Sequence, residues 1–401
     1  MGNVENISGM RLGQWCSSIL FAAGQILLWG GSYFLLSVLS APIRLEMGWS
    51  YQFVYGALSV ALMVSGFILP RIGRIIQQGV SGEGFLLFAG WVMAVGLFML
   101  SYATHAFGFL CSWLIIGIAM GMGLYDTLFA SVAQRYGALT TKAIVFITLL
   151  SSLAPTISWY LLSQFLAYFS WRETCQLYAV LLLLLVTPIH ALAFRFAGDR
   201  VSNAPPDEGD TPQAPAAVKP SHLQRLLTSH FVLGSMLSTL IVVYLIEILT
   251  HQGITMSAVI GIAAILGPSQ SGARLIELCW RRISPFHLSQ VSAALLVVAV
   301  GLLALGPAFA LVAVLLFGIG NGQRSILRGT LPYAIFGRTN YALWIGKLGR
   351  WPLIMQGITP LVGGYVVQYF GIPLLLYCAL ALALGNAWVV WKIQHIFKRS
   401  K

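Results

Sequence analysis

The chain has 401 residues, of which 58% are hydrophobic and only 8% charged, with a mean hydropathy of +0.84 and a formal net charge of +12. Such a composition has too little polar surface to clothe a soluble globule of this size. It therefore excludes soluble enzymes and gives the basic excess no soluble domain with which to bind nucleic acid; the partner expected for that charge is the headgroup region of a lipid bilayer. Five cysteines, Cys16, Cys111, Cys175, Cys279 and Cys378, lack paired spacing, so neither a metal site nor a disulfide framework is expected, and no cofactor.

Crossing about 30 Å of hydrocarbon takes roughly 20 apolar residues per helix. Twelve stretches of that kind are predicted, near 17–41, 52–70, 84–104, 107–131, 143–168, 173–196, 228–250, 255–275, 287–306, 308–330, 342–368 and 373–395. The expected fold class is an all-α integral membrane protein built as two six-helix pseudo-symmetric bundles. They are divided by Gly198 to Arg225, which holds five of the sixteen prolines and four of the eleven acidic residues and cannot bury a core. Residues 1–197 are the first bundle, 198–225 a cytoplasmic linker and 226–401 the second bundle.

Orientation follows from Lys and Arg, which short cytoplasmic loops retain. With the N-terminus inside, that side collects Arg11, Arg71, Arg74, Arg135, Lys142, Arg200, Lys219, Arg225, Arg281, Arg282, Arg338, Lys398, Arg399 and Lys401, against Arg44 and Arg172 on the other. Both termini are expected in the cytoplasm. The N-terminus has no signal-peptide pattern, so the first span is read as retained.

Along the first half, Gln25 and Tyr33 interrupt an apolar span, either facing a polar cavity or bonding a neighbouring helix. Met47-Gly48-Trp49-Ser50 makes a turn in which Ser50 can cap the second span. That span ends in Gly66-Phe-Ile-Leu-Pro70-Arg71-Ile-Gly73-Arg74. Gly66, Arg71, Gly73 and Arg74 resemble the cytoplasmic signature of the major facilitator superfamily, with Pro70 where that family usually has an aspartate; starting at Gly73 instead puts Gln77 there. In the family the acidic residue makes a charge contact that steadies one state of a transport cycle.

In the fourth span Gly117, Gly121 and Tyr125 share a face at helical spacing, which permits tight packing. Next to them is Asp126, whose charge near mid-membrane costs roughly 2.5–3.5 kcal/mol. It is either a proton-carrying or substrate-contacting carboxylate, or half of an ion pair near the interface. The fifth span, around Ser151 to Ser158, lacks the Gly-Pro-x-x-Gly-Gly run typical of drug and proton antiporters in the superfamily. Tyr168-Phe-Ser-Trp171-Arg172 precedes the sixth span, in which His190 is read as an interfacial residue.

The second half repeats the first at an offset near 201 residues, relating Gly66 to Gly267 and Tyr168-Phe169 to Tyr369-Phe370. Glu247, beside His251, is read as interfacial, with an outer gate as the rival role. Gln270, Arg274 and Glu277 share a stripe on the eighth span, where Arg274 and Glu277 can pair along the helix. The tenth span lines up Asn321, Arg324 and Arg328 with no carboxylate among them, so these arginines need anionic partners, carbonyls or water. Asp126, the substrate, or snorkelling toward the cytoplasm could each satisfy them. Lys347 and Arg350 in the eleventh span are orientation anchors, and Gly357-Ile-Thr-Pro360-Leu-Val-Gly363-Gly364 is a packing kink and hinge candidate.

The whole-chain topology resembles the superfamily, and the Gly48-Trp49-Ser50 turn with Arg274 most resembles its monocarboxylate-transporter-like branch. The resemblance implies a monomeric secondary transporter in a plasma membrane, the inner membrane of a bacterium, working by alternating access. Its solute would be a small organic molecule, expected to be an anion. Protons would couple through Asp126, and Gln25, Tyr33, Tyr125, Gln270, Arg274, Asn321, Arg324 and Arg328 would line the cavity. Efflux of an amphipathic or toxic compound is the alternative. An enzyme is not expected, because no dense cluster of His, Asp or Glu is present.

Overall fold

The computed structural model describes residues 10–78, 80–136, 139–199, 220–279, 284–336 and 341–399. Most of the linker, with Arg200, Lys219, Arg281, Arg282, Arg338 and Lys401, lies outside the described residues, as do the side chains of Pro70, Gln77, Glu277, Lys347, Arg350, Lys398 and Arg399. The described elements are helices: α1 Leu12–Gly30, α2 Leu35–Met47, α3 Tyr51–Gln77, α4 Glu83–Ser101, α5 Ala106–Gly123, α6 Tyr125–Tyr136, α7 Thr140–Ser151, α8 Ala154–Tyr168 and α9 Trp171–Ala197. They continue as α10 Pro220–His251, α11 Met256–Ala264, α12 Leu266–Cys279, α13 Pro285–Leu305, α14 Ala310–Phe336 and α15 Tyr341–Arg399, with a 3-10 turn at Pro307–Phe309.

Helix covers each of the twelve predicted stretches, ten of the described helical segments are long and apolar enough to cross a membrane, and the chain is a multi-pass membrane protein. At about 1.5 Å per residue, the apolar stretch Trp351–Ile396 within α15, 46 residues long, is enough for two crossings. Gly371, at φ 81° and ψ 175°, divides it. An L-residue with a side chain is strained at that φ, so glycine marks the turn.

Four spans are interrupted where the hydropathy pattern predicts continuity. The first breaks between α1 and α2 after Gly30, the fourth at Leu124, the fifth at Ser152 and Leu153, and the eighth at Ile265. Each break has a local cause. Pro155 stands in the first turn of α8, where its missing N–H costs nothing; Gly30-Gly31, Gly121 and Gly123, and Gly267-Pro268 weaken the other three.

The chain divides into two compact units, one of Met1–Pro42 and Val60–Pro205 and the other of Ile43–Ser59 and Pro206–Lys401. In the first, α1 packs on α7, α8 and α9, and α4 on α5 and α9. Gly117 touches backbone there: a Cβ on it would lie 2.6 Å from the Ala61 carbonyl oxygen, the close approach that its spacing predicts. His190 is fully buried, its Nδ1 2.9 Å from the Leu86 carbonyl oxygen, so it is a packing residue between helices rather than an interfacial one. Ser170 caps α9, and Arg172 donates to the carbonyls of Ser101 (2.7 Å) and Ala103 (2.9 Å), tying the start of α9 to the end of α4.

In the second unit α10 packs on α15, and α14 on both α12 and α13. The contact of α12 with α14 is glycine-mediated, since a Cβ on Gly322 would lie 2.8 Å from the Gln270 carbonyl oxygen and 2.9 Å from its Cα.

Candidate functional site

Three of the helix breaks bear on one aromatic cluster in the first unit. Trp29, at the end of α1, lies with ring centroids 5.4 Å from Tyr33 and 5.3 Å from Tyr125, and Tyr125 stacks on Phe129 at 5.3 Å. Phe34 packs on Trp159 of α8 at 5.7 Å, and the Tyr125 hydroxyl is 2.7 Å from the Ser151 hydroxyl at the end of α7. Gln25 is fully buried and donates through Nε2 to the Gly123 carbonyl at 2.7 Å. Of the two roles that the sequence leaves open for it, this is the interhelical one, and it satisfies a carbonyl that the end of α5 leaves without a helical partner.

Tyr125 does not continue the stripe of Gly117 and Gly121. Leu124 is extended, with φ −81° and ψ −177°, and α6 starts afresh at Tyr125. Asp126 thereby sits in the first turn of a helix and is exposed. The positive end of a helix dipole favours a carboxylate by a few tenths to about 1 kcal/mol. The break is thus part of how the chain accommodates this charge.

In the second unit Gln270, Arg274 and Asn321 are buried at 9%, 8% and 6% exposure, on two helices held close at Gly322. Arg324 Nε donates to Asn321 Oδ1 at 3.1 Å, and the half-buried Arg328 follows one turn along α14. No sequence pattern singles out His230 and Asn386. Both are buried, with His230 Nδ1 2.7 Å from Asn386 Oδ1, which joins α10 to α15. Asn386 is a lone polar residue in an apolar run, whereas His230 follows Thr228 and Ser229; their pairing across 156 positions is visible only in the fold.

A second polar cluster in this unit lies around Glu247. The Tyr51 hydroxyl donates to Glu247 Oε1, Arg44 approaches the same oxygen at 3.8 Å, and the Arg44 guanidinium lies 3.1 Å from the centre of the Tyr51 ring. The Tyr51 amide donates to Gln368 Oε1 at 3.0 Å, Tyr55 packs on Tyr244 at 4.4 Å, and Leu361 N donates to Ser59 Oγ at 2.9 Å. The Ile43–Ser59 segment is therefore fastened to α10 and to the proline-containing part of α15. Tyr244 donates to the carbonyl of Pro360 itself, at 2.6 Å. Glu247 is a buttressed carboxylate, which an interfacial reading of it does not convey.

The family-like residues Gly66, Arg71, Gly73 and Arg74 all lie within α3, which runs on to Gln77. Arg71 and Arg74 are exposed, and a Cβ on Gly66 or Gly73 would meet nothing within 4 Å. The following corner is held by α6 instead. Gln134 accepts from Gly82 N at 3.3 Å and donates to the carbonyls of Ile76 (3.3 Å) and Val80 (3.1 Å). Arg135 pairs with Glu83 at 2.6 Å, donates to the Gly198 carbonyl at 2.5 Å and lies over Phe194. Removing Arg135 leaves a half-exposed carboxylate and a helix-end carbonyl unpaired, so Arg135→Ala is expected to cost about 1–3 kcal/mol. Thermal unfolding in detergent should fall by several degrees, and by less in Glu83→Gln, where Arg135 keeps its other two contacts.

No protein-family model and no curated protein sequence matches the chain. Solved structures do. The crystal structure of a bacterial homologue of the human lysosomal transporter Spinster, in an inward-facing and occupied conformation, matches with a TM-score of 0.72 at 10% identity, over 98% of this chain and 99% of that one. The crystal structure of the nucleoside transporter NupG matches with a TM-score of 0.68 at 15% identity, over 97% of this chain and 100% of that one. A point mutant of that nucleoside transporter gives the same TM-score and identity over 96% of this chain. At these identities the likeness is one of fold, and neither protein is described as a monocarboxylate transporter.

Proposed function

We propose, from the major facilitator fold that the chain carries, that it is a secondary transporter moving a small organic anion across the membrane by alternating access, coupled to protons. Folds of two six-helix repeats place their sites at interrupted helices, and four of the twelve spans here are interrupted. The observation that carries the anion reading is the second-unit cluster. α14 holds Arg324 and Arg328 and no acidic residue, and it packs through Gly322 on the helix of the buried Arg274. Guanidinium groups in this setting match a carboxylate or phosphate in geometry and charge.

Asp126 is the proton-coupling residue in this reading, since it is the one acidic residue within the fourth span. The Gly48-Trp49-Ser50 turn and Arg274 support a place in the monocarboxylate-transporter-like branch. The count of basic residues supports cytoplasmic termini in a bacterial inner membrane, and the protein acts as a monomer.

The test is internal pH in proteoliposomes during addition of a panel of small carboxylates. Proton movement that needs a carboxylate is expected in the wild type, with a loss of about tenfold or more in Arg324→Ala and Asp126→Asn, as removal of a charged contact worth about 1.5–3 kcal/mol implies. Transport unchanged in Arg324→Ala overturns the anion reading; carboxylate uptake without proton movement overturns the coupling.

The aromatic cluster of Trp29, Tyr33, Phe34, Tyr125, Phe129 and Trp159 favours a second reading, export of an amphipathic or toxic compound. Under it Trp29→Ala abolishes export while Arg324→Ala leaves it intact.

A further inference from the structure

From residue 278 to its end the chain carries eleven Lys and Arg and no Asp or Glu, whereas the residues before carry twelve against eleven. Nearly all of the net charge of +12 therefore arises in the last third of the sequence. In the first unit a basic side chain at a helix end is neutralised within the fold, as Arg135 is by Glu83 at 2.6 Å. No carboxylate follows Glu277 to do the same among the last helices, so their counter-charge comes from outside that part of the chain.

The last half of α15 shows where such a counter-charge can sit. Its inner face fixes its rotation: Asn386, Val389, Val390 and Ile393 are buried, and Gln394 accepts a hydrogen bond from Gln290 of α13. The opposite face is a stripe of exposed side chains at alternating spacings of four and three, Tyr377, Ala381, Leu384, Trp388, Trp391 and His395. From Tyr377 to His395 the helix rises about 27 Å, close to the thickness of a bilayer's hydrocarbon. The stripe is apolar for most of that length and turns basic at one end. There Lys392 Nζ lies 3.7 Å from the centre of the Trp388 ring, and the His395 ring stacks on Trp391 at 5.4 Å and 10°. Indole rings favour the headgroup level of a bilayer, and each of these two carries a nitrogen donor one turn further along the helix. An apolar strip as long as an acyl chain, ending in two rings and two donors, fits one phospholipid along its whole length; a free phosphate would use only the end.

We propose that the exposed stripe of α15 is a docking site for an anionic phospholipid. Lys392 and His395 hold the headgroup phosphate, the Trp388 and Trp391 rings cover the glycerol region, and an acyl chain lies along Leu384, Ala381 and Tyr377. The site is separate from the solute cluster on α12 and α14 and does not depend on which solute is carried.

Native mass spectrometry of the purified, delipidated full-length protein in detergent tests this, with dioleoyl phosphatidylglycerol and dioleoyl phosphatidylethanolamine as probes. The two share acyl chains and differ in net charge. The wild type is expected to retain the anionic lipid more tightly. Lys392→Gln should weaken that lipid about fivefold and leave the zwitterionic one unchanged, the factor that corresponds to about 1 kcal/mol per basic side chain at a membrane surface. Lys392→Gln/His395→Gln should bind the two lipids alike, Lys392→Arg should keep the preference, and Trp388→Leu/Trp391→Leu should weaken both lipids. Arg195→Gln removes the same charge from an exposed position on α9 and should change nothing. Thermal unfolding without lipid checks that each variant is folded, and the anionic lipid should raise the wild-type midpoint by mass action. Equal retention of the two lipids by the wild type overturns the proposal. So does a preference that survives in Lys392→Gln/His395→Gln, or one lost equally in Arg195→Gln, which would be an effect of overall charge. A dimer that retains neither lipid assigns the stripe to a second copy of the chain and also overturns it.

Discussion

A Glu247→Ala variant is expected to expose the Ile43–Ser59 segment to a membrane-impermeant maleimide about 30-fold faster than wild type. Glu247 accepts from the Tyr51 hydroxyl and pairs with Arg44, and the two charged side chains are only 18% and 19% exposed. A hydrogen bond to a charged group contributes about 1.5–3 kcal/mol, whereas a fully exposed ion pair contributes about 1 kcal/mol at most. About 2 kcal/mol off the closed packing raises its opening equilibrium by roughly that 30-fold. The measurement uses Ala57→Cys, a fully buried position on α3, in a background lacking the five native cysteines. Glu247→Gln keeps an acceptor for Tyr51 and loses only the charge pair, so its effect should be a few-fold. A labelling rate unchanged in Glu247→Ala would show that the aromatic and backbone contacts hold the segment without the carboxylate.

Gly322→Val should remove carboxylate binding altogether and destabilise the second unit by about 3 kcal/mol or more, the upper range for overpacking against atoms that cannot turn aside. The obstacle is the Gln270 backbone, at 2.8 and 2.9 Å from the new Cβ, so α12 must move bodily and carry Gln270 and Arg274 with it. Gly272→Val is the matched control, because a Cβ at Gly272 meets nothing within 4 Å. Thermal unfolding and ligand titration of the two variants side by side decide the matter: equal stability would mean that the helices are not held at the Gly322 contact.

The twelve spans, the fourth-span glycine packing and the cap at Ser50, whose Oγ accepts from Phe53 N at 3.1 Å, were all legible in the sequence, because each depends on local patterns: apolar length, small residues at helical spacing, and a serine closing a Gly-Trp turn. The helix breaks were not read from it. Their residues were in view, but averaging hydropathy over a span hides a one-residue departure such as Leu124. The partners of polar residues were the least legible part. Gln134, Glu83 and Arg135 anchor a corner that the sequence assigns to Gly66, Arg71, Gly73 and Arg74, because in that motif the acidic position is taken by Pro70. His230 and Asn386 lie 156 positions apart, and no spacing rule reaches that far.

The hydrogen bond from Gln25 to the Gly123 carbonyl bears on biogenesis. A nascent fourth span has every reason to enter the bilayer as one straight helix, since hydrocarbon offers no substitute for a missing backbone bond. The substitute is an amide group 98 residues earlier in the chain, so by the time Gly123 is synthesised the first span already exists to receive it. The bend at Leu124 thus draws on a group of the first span, which translation has already supplied when Gly123 is made.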